Sequence, residues 1–485
     1  MVACERASAG LCGRPPDAPT NVGTWWTTAL AFLRGLGAHV TLGGSMLGKV
    51  EANHPMWSAY LKMSPVRVAA TRTLGTVSRR AYYGPLAPLR AGRIRKATPP
   101  GRRWVRVRNS VAGIAGADVA RVYLDEDGRI ALAALPRQKR IYLGSEVAGE
   151  VVDVGPEVEF LRVGDRVAYQ LDVCCATRDI EPPCEQCAAG NYRLCANRYM
   201  SGPRGVGGGW GDEMLLHERQ LFLVPDTLAD EQAALLEPAA MALHTALHHL
   251  PQPGEQVLVI GAGTTGLLTI QALRVLAPSA TIAVLARYPF QAKMAWQMGA
   301  SALLDPKKDT EDVVSATGAQ HLKGRGGAEM VMGGFDAVYD TVGSAETLER
   351  ALRWVRAGGV VVQAGMHQAR VRVDLTPIWQ SGIRVIGAGG PGAESWPGGE
   401  GLADWSGSSG GRVSTFALAA ELMREGKLTP ELLVTHRFPL RELRRAVATA
   451  RNKAEHQAIK VLLDIRSVAG SVTHTTLAPR RSTLA

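Results

Sequence analysis

The sequence predicts an α/β protein with a doubly wound parallel sheet and a second, strand-rich domain. The run VLVI at 257–260 leads through the turn GAGTTG into a helical pattern, which is the strand, turn, helix order of a parallel-sheet unit. The segment EVAGEVVDVGPEVEFLRVGDRV at 146–167 alternates valines between glycines, as short strands joined by tight turns do. Five of the seven cysteines lie between 174 and 195, which favours a metal cluster over a disulfide framework.

Length and composition are consistent with two domains. At 485 residues with 46% hydrophobic content, the chain can bury more than one core. No apolar run approaches the roughly 20 residues of a membrane span. The N-terminus lacks the pattern of a secretory signal, so we expect a cytoplasmic protein. Residues 1–62 are interpreted as an N-terminal extension, for which a mispredicted start, a disordered tail and an accessory segment all stay open.

The positive charge of the chain is local. The net charge is +11, and Met63 to Arg108 holds 12 Lys or Arg and no acid, which leaves 43 basic against 44 acidic residues elsewhere. A patch for nucleic acid or another polyanion is one interpretation. We favour a solvated, arginine-rich face on the first strands, because RRWVRVR alternates Arg with Trp or Val as a half-buried strand does. The stretch also lacks the regular aromatic spacing of a stacking platform.

Several motifs occur in an order that is typical of one family. GIAGAD at 113–118, GSEVAGE at 144–150, the cysteine cluster, LLEPAAMALH at 235–244, GAGTTG and THRFPL at 435–440 follow one another, and the strand AIKVLLD closes the series. Together they resemble the medium-chain dehydrogenase/reductase family. Within it, the closest resemblance is to the threonine and sorbitol dehydrogenase-like branch of the zinc-type alcohol dehydrogenases. The resemblance covers about Met63 to Ile465.

The resemblance implies a GroES-like β-barrel catalytic domain and a Rossmann domain, with the active cleft between them. We place the barrel at 63–240 with a return at 390–466, the Rossmann domain at 241–389 and a tail at 467–485. The glycine- and serine-rich stretch 388–411 is predicted to be a surface loop. A small-molecule substrate and a homodimer or homotetramer are also implied, whereas membrane or nucleic-acid binding is not expected.

The catalytic zinc ligands of the family are substituted in this chain. Where the family has a zinc-binding Cys and His, the chain has Ala115 and Ser145, and neither replaces a thiolate or an imidazole. The resemblance makes Glu237 a further ligand and Glu146 an exchangeable one, and it makes Asp118 the support of the missing His. We therefore expect a residual site of these three carboxylates without catalytic zinc. An all-oxygen site for a harder metal is the less favoured interpretation.

The glycine turn predicts a dinucleotide site. Gly261 permits the tight turn, Gly263 lets a pyrophosphate approach the backbone, and Gly266 lets the helix pack on the sheet. Thr264 and Thr265 begin the helix, at whose N-terminus the phosphates would rest. A glycine-rich turn without a ligand is the alternative.

The end of the second strand favours NADP(H) over NAD(H). From Gly261 to Leu304 the chain has no acidic residue that could hold the ribose hydroxyls of NAD. The strand ends in Ala286, Arg287 and Tyr288, and the Asp of the family falls on Ala286. Loss of that carboxylate removes repulsion of a 2′-phosphate, and Arg287 offers the phosphate a fork of donors.

The cysteine cluster predicts a structural zinc. Three cysteines have the spacing CxxCxxxxxxxC of the last three ligands in the structural zinc lobe of the family, namely Cys184, Cys187 and Cys195. Glu181 occupies the formal position of the first ligand. We expect Cys175 to be the fourth ligand, with Cys174 as its substitute, because the segment between can loop back. A cluster of reduced thiols is the alternative.

The expected function is that of an NADP(H)-dependent oxidoreductase. It would move a hydride to or from a carbonyl, alcohol or activated alkene without catalytic zinc, using a proton donor that the motifs do not identify. The alternative is a non-catalytic NADPH-binding protein, a degenerate dehydrogenase that acts as a sensor or partner. A zinc enzyme with ligands from elsewhere, such as His244, has no motif spacing in its favour.

Overall fold

A computed structural model describes residues 55–127, 140–170, 173–200, 202–325, 329–396 and 412–466. All of these lie in one compact unit that spans Ala52–Ala485. Most of the predicted N-terminal extension and the predicted tail fall outside the described residues. Among the helices that the structure describes, none combines the length and the apolar character needed to cross a membrane.

Twenty strands occur among the described residues. They are β1 (Met56–Leu61), β2 (Leu89–Ile94), β3 (Trp104–Gly113), β4 (Ile141–Tyr142), β5 (Val147–Val154), β6 (Arg166–Tyr169), β7 (Glu213–His217), β8 (Leu221–Leu223), β9 (Gln256–Ile260), β10 (Thr281–Leu285), β11 (Ala302–Leu304), β12 (Gln320–Lys323), β13 (Glu329–Met332), β14 (Phe335–Asp340), β15 (Val355–Gln363), β16 (Arg384–Gly387), β17 (Ala393–Ser395), β18 (Arg412–Ser414), β19 (Val434–Pro439) and β20 (Lys460–Asp464).

The α-helices lie within the same described residues. They are α1 (Pro65–Val77), α2 (Gly116–Val122), α3 (Glu185–Ala188), α4 (Asp230–Ala234), α5 (Leu236–Leu247), α6 (Thr264–Leu276), α7 (Pro289–Gln297), α8 (Asp309–Thr317), α9 (Ala345–Trp354), α10 (Thr376–Ser381), α11 (Thr415–Arg424), α12 (Leu443–Arg451) and α13 (Lys453–His456).

One sheet is parallel and doubly wound, as the sequence predicts. Its strand order is β11-β10-β9-β14-β15-β16, and every neighbouring pair is parallel. Alternate residues of β9 point to opposite faces: Val257 and Val259 join one buried cluster, and Leu258 and Ile260 join another. Because both faces are covered, these strands are apolar throughout rather than alternating. The predicted α/β class is confirmed.

The second large sheet is mostly antiparallel and provides the frame of the candidate active site. Its order is β19-β20-β3-β5-β6-β8, and β7 also pairs with β3. The C-terminal strand β20 runs antiparallel to β3, with Leu462 opposite Gly113. Residues from distant parts of the chain therefore meet at the end of β3. A smaller sheet of order β2-β1-β4 belongs to the same side of the molecule and shares its apolar core.

Three sequence expectations differ from the structure. Strand β1 precedes residue 63 and pairs along its length with β2, so the ordered barrel starts before the predicted boundary. The stretch 388–411 contains β17, which pairs with β18, and its residues from 397 lie outside the described ones. Strand β3 is buried on both faces rather than half-buried; Arg106, for example, is covered by contacts with Glu213 and the Ala97 carbonyl.

Ion pairs neutralise part of the positive charge between Met63 and Arg108. Arg103 contacts the buried Glu218, and Arg106, itself buried, contacts Glu213. The exposed Arg102 pairs with Glu157. The first part of the basic stretch forms the helix α1 instead of a strand. The arginine-rich face is thus a partly paired surface that includes a helix.

Candidate active site

The glycine turn lies between β9 and α6, in the context that the sequence predicts. Gly261 has a φ of +99°, and a Cβ there would lie 2.6 Å from Val342 Cγ2. A Cβ at Gly266 would overlap the carbonyl oxygen of Gly261, whereas a Cβ at Gly263 would meet nothing within 4 Å. Gly263 therefore borders open space at the start of helix α6, whose first turn contains no acidic residue. Such an N-terminus attracts anions.

Neighbouring strands contribute further groups to this turn. Thr264 donates through Oγ1 to the carbonyl of Ile459, at 3.3 Å, which ties the turn to the start of β20. Thr265 begins the helical ladder, and its carbonyl accepts from Thr269 Oγ1. Thr341, which follows β14, donates to the carbonyl of Ile260 at 2.9 Å. The carboxyl ends of adjacent strands thus surround the open space, as they do where nucleotides bind to open α/β sheets.

The end of β10 presents a positive group and an aromatic ring. Ala286 is buried, and Arg287 is exposed with its guanidinium 5.5 Å from the centre of the Tyr288 ring. Among the described residues, Arg287 forms no salt bridge, so its donors are available. A cavity of about 420 Å³ adjoins this point and is lined in part by Tyr288 and Lys293. The charge of these groups suits an anionic substituent.

The residual site contains a buried ion pair that the motifs do not reveal. Lys460 Nζ donates to both carboxylate oxygens of Glu146, each at 2.6 Å. Both residues are about as buried as the core, at 2% and 3% exposure. Gly113 makes room for the pair, because a Cβ there would overlap the Glu146 carboxylate. The hint in the sequence is a single Lys inside the apolar strand AIKVLLD.

This lysine lies beside the substituted positions. The Ile114 backbone N–H donates to the Val461 carbonyl at 3.0 Å, so Lys460 runs past Ala115 at the start of α2. Glu146 directly follows Ser145. The Lys460–Glu146 pair is therefore adjacent in the structure to the backbone of both substituted positions.

One carboxylate oxygen of the buried Asp118 lacks a hydrogen-bond partner among the described residues, although the Gly144 backbone and Arg121 interact with this carboxylate. The Asp118 side chain is 2% exposed, and the oxygen without a partner is Oδ2. Burial, together with the nearby Glu146 carboxylate, raises the pKa of Asp118 to about 6. The orphaned oxygen is explained by Ser145, since the resemblance gives Asp118 the task of supporting a His at that position.

Glu237, in the first turn of α5, is the most strongly perturbed carboxyl of the site. Enclosure of its carboxyl raises the pKa to about 8, and the negative charge of Glu146 adds to this, while Lys460 opposes it. The group is therefore largely protonated at neutral pH. The residue as a whole is partly exposed, while its carboxyl group is enclosed.

The described residues do not fit a catalytic zinc. Zinc in such sites is held by thiolate, imidazole and carboxylate groups. Positions 115 and 145 supply no donor of the first two kinds, and the Glu146 carboxylate is neutralised by Lys460.

Four cysteines do meet the requirements of a zinc site. One Sγ from each lies within 4.8 Å of the others, and the set is Cys175, Cys184, Cys187 and Cys195. The Cys175 and Cys195 sulfurs are 3.7 Å apart, close to the ~3.8 Å expected for tetrahedral thiolates at a Zn–S distance of about 2.3 Å. Backbone N–H donors, first that of Cys187, lower the pKa of Cys184 to about 6. Cys174 is buried outside this set, and Glu181 is exposed.

Arg193, which lies in the segment that carries the four cysteines, also influences the residual site. A Cβ at Gly389 would lie 2.7 Å from the Arg193 guanidinium, so this side chain packs on the backbone that follows β16. The positive charge of Arg193 acts to lower the pKa of Glu237. The motifs did not point to Arg193, because its place depends on how the lobe folds back.

Comparison with known proteins agrees with this architecture. The alcohol dehydrogenase GroES-like domain matches residues 101–226, and the zinc-binding dehydrogenase domain matches 264–404. Sorbitol dehydrogenase of Bacillus subtilis (strain 168) is 30% identical over 286 residues, which cover 58% of this chain and 74% of that protein.

Two solved structures have the same fold. A protein of Sinorhizobium meliloti 1021, described as a zinc-binding dehydrogenase and bound to NADP, is 25% identical, with a TM-score of 0.61 over 85% of this chain and 100% of its own. A protein of Escherichia coli CFT073, described as a short chain alcohol dehydrogenase and complexed with NADH, is 20% identical, with a TM-score of 0.62 over the same shares, 85% and 100%.

The parallel sheet with its glycine turn and the GroES-like sheet with its cysteine lobe define an enzyme of the dehydrogenase/reductase class. The chain belongs to the zinc-type alcohol dehydrogenases of the medium-chain dehydrogenase/reductase family. The resemblance drawn from the motifs is therefore confirmed.

Proposed function

We propose that the protein is an NADP(H)-dependent oxidoreductase that moves a hydride between the nicotinamide and a carbonyl, alcohol or activated-alkene substrate without a catalytic zinc. The observation that carries this proposal is the Lys460–Glu146 pair beside Ala115 and Ser145. The Lys460 ammonium holds both oxygens of Glu146, the carboxylate that the resemblance makes an exchangeable metal ligand.

The preference for NADP(H) rests on the end of β10. Ala286 offers no carboxylate to repel a 2′-phosphate. Arg287, which forms no salt bridge with the described residues, is exposed there, with Lys293 along the adjoining cavity. Structures of the same fold have been solved with NADP and with NADH. The choice between the two cofactors therefore depends on these side chains and not on the fold.

Glu237 is proposed as the proton donor. NADPH, when bound, supplies the hydride that reduces the substrate carbon. Glu237, protonated at neutral pH because of its raised pKa, gives its proton to the substrate oxygen as the carbonyl π electrons move onto it. The carboxylate that results is stabilised by Lys460 and Arg193 and regains a proton from solvent. Oxidation of an alcohol follows the reverse path.

The remaining groups have structural roles in this proposal. The four-cysteine cluster is proposed to hold a structural zinc, with Cys175 rather than Cys174 as the fourth ligand. Its sulfur spacing and the N–H donors around it support this assignment. A homodimer or homotetramer in the cytoplasm, acting on a small molecule, remains our expectation.

The test combines metal analysis with turnover. Purified full-length protein is assayed for NADPH oxidation with aldehydes, ketones, quinones and enones, and zinc is counted in the wild type, Glu237→Gln and Cys187→Ser variants. We expect turnover with at least one substrate class. We also expect one zinc ion per chain to be lost in Cys187→Ser, and the zinc content of Glu237→Gln to equal that of the wild type.

Two outcomes would contradict the proposal. Loss of a zinc ion in Glu237→Gln would mean that the centre binds zinc after all. Tight NADPH binding without turnover in any substrate class would instead support the non-catalytic NADPH-binding protein. Equal affinity for both cofactors would overturn the NADP(H) preference alone.

A further inference from the structure

A second group of metal-binding side chains lies outside the residual site and the cysteine cluster. It consists of His244 on α5, His248 directly after that helix, and Glu394 on β17. His244 Nδ1 is 2.6 Å from Glu394 Oε1, and the Nε2 atoms of the two histidines are 3.0 Å apart. One ligand atom from each of the three residues lies within 4.8 Å of the others. None of the three has a part in the proposed reaction.

The backbone around this cluster is built to hold it. Residues four apart on a helix share one face, and His248 keeps helical backbone angles, so both imidazoles project from the same side of α5. Glu394 comes from a separate strand, where it is paired with Val413. A Cβ at Gly392 would lie 2.6 Å from the His244 ring and 3.0 Å from Glu394 Oε1, so only glycine leaves room for their contact.

We propose that His244, His248 and Glu394 form a binding site for a divalent transition-metal ion of the zinc type. The Nε2 atoms of the two imidazoles are donors that zinc accepts, and Glu394 contacts the other ring nitrogen of His244. The nitrogen separation of 3.0 Å is close to the ~3.3 Å between two ligands of a tetrahedral ion at about 2.0–2.1 Å. The carboxylate on His244 Nδ1 would orient that ring, as carboxylates commonly do for metal-bound histidines.

This site is separate from the reaction centre. His244 follows Glu237 by seven residues on α5, which is ~10 Å along a helix that rises about 1.5 Å per residue. His244 is mostly buried and His248 is partly exposed, so an ion can enter from the side of His248 and keep water as its further ligands. The inference does not depend on the proposed function.

The experiment is a metal titration of the full-length protein after removal of bound ions with a chelator. Cobalt(II) is the probe, because thiolate ligands give it strong charge-transfer absorption that histidine and carboxylate ligands lack. We expect two ions per chain in the wild type, of which one gives the thiolate absorption. His248→Ala should lose the other ion, or bind it at least tenfold more weakly, with the thiolate absorption unchanged. Glu394→Gln should weaken it in the same direction.

His249→Ala is the matched control. This neighbouring histidine faces Glu255, with 3.7 Å between Nε2 and Oε2, and has no place in the cluster. We expect it to bind both ions like the wild type. A rise in thermal stability on adding zinc to a cysteine-cluster variant, absent when His248→Ala is added, would show the site in folded protein.

The inference is overturned if His248→Ala and Glu394→Gln bind cobalt with the number and affinity of His249→Ala. It is also overturned if the wild type binds one ion, which the cysteine variant loses. An ion that depends on Glu237 would contradict the zinc-free centre instead, so the two proposals fail in different ways.

Discussion

Burial of the Lys460–Glu146 pair carries a large desolvation penalty. Removing two charges from water costs several kcal/mol per ion, and the attraction between them repays this only with close geometry. Here both oxygens of Glu146 accept from the ammonium at 2.6 Å. Such a pair is poor evidence for stability, and its presence beside the substituted ligand positions points to a role in the site.

Breaking the pair one side at a time should be costly. We expect Lys460→Met to lower the free energy of unfolding by about 3–5 kcal/mol, because an uncompensated carboxylate stays buried. Lys460→Met with Glu146→Gln should cost less than the sum of the two single changes. Denaturant unfolding measures this cycle. The exposed Arg102–Glu157 pair is the control, and its removal should change stability by less than about 1 kcal/mol. Additive effects at Lys460 and Glu146 would contradict the structure.

The proposed proton donor predicts a pH profile. Glu237 must be protonated to act in reduction, so we expect the reduction rate to fall as pH rises through about 8. Glu237→Gln cannot donate a proton as an acid, and we expect kcat to drop by roughly 10²- to 10⁴-fold with no inflection near that pH. Steady-state kinetics from pH 6 to 10 test this. An unchanged inflection in the variant would assign it to another group.

At the scale of elements, two glycines of the β9–α6 turn are expected to have different roles: Gly266 in packing and Gly263 in cofactor binding. Gly266→Ala places a Cβ against the Gly261 carbonyl, so we expect loss of both stability and cofactor binding. Gly263→Ala meets open space at an ordinary φ of −79°, so the fold should tolerate it. The added methyl group would still stand where the pyrophosphate approaches the helix.

Thermal unfolding and NADPH titration of both variants distinguish these effects. We expect Gly263→Ala to unfold near the wild-type temperature and to bind NADPH about tenfold or more weakly, a loss of about 1.4 kcal/mol. Wild-type affinity in this variant would mean that the phosphates lie elsewhere.

The proposed preference for NADP(H) can be tested at the end of β10. We expect Arg287→Ala to weaken NADPH binding by about tenfold to a hundredfold, since a charge-assisted contact is worth about 1.5–3 kcal/mol. NADH has no 2′-phosphate, so its affinity should stay the same and serves as the internal control. Fluorescence titration with both cofactors measures the ratio. An equal loss for NADH would show that Arg287 supports the fold or the adenine instead.

At the scale of the whole molecule, the raised carboxyl pKa values make stability depend on pH. Folding raises the pKa of Asp118 from 3.8 to about 6 and that of Glu237 from 4.5 to about 8. For each group, the folded protein therefore binds more protons than the unfolded chain when the pH lies between the unfolded and the folded pKa. Stability falls as pH rises through this window.

The Glu237→Gln variant shows how much Glu237 contributes to this pH dependence of stability. We expect the wild-type Tm to fall more steeply from pH 5 to pH 8 than the Tm of Glu237→Gln, so that the variant gains relative stability at the higher pH. Differential scanning calorimetry at several pH values measures the difference. Parallel curves for the two proteins would contradict the raised pKa.

Local patterns were the parts of this protein that could be predicted. The strand, glycine turn and helix at 256–276 are adjacent in the chain, so their order can be predicted from local patterns. The cysteine spacing likewise brought together residues that lie close in sequence. Strand β3 was mispredicted, because burial depends on neighbours that its own alternation does not reveal.

The sequence by itself determined the family, the dinucleotide turn, the cysteine set and the loss of donors at Ala115 and Ser145, since each depends on residue types at short spacing. Only the tertiary structure decided what stands in their place. Lys460 meets Glu146 across 314 positions, and His244 meets Glu394 across 150. Such contacts arise when strands from opposite ends of the chain pair and pack, and no local pattern specifies which side chains then share a buried space.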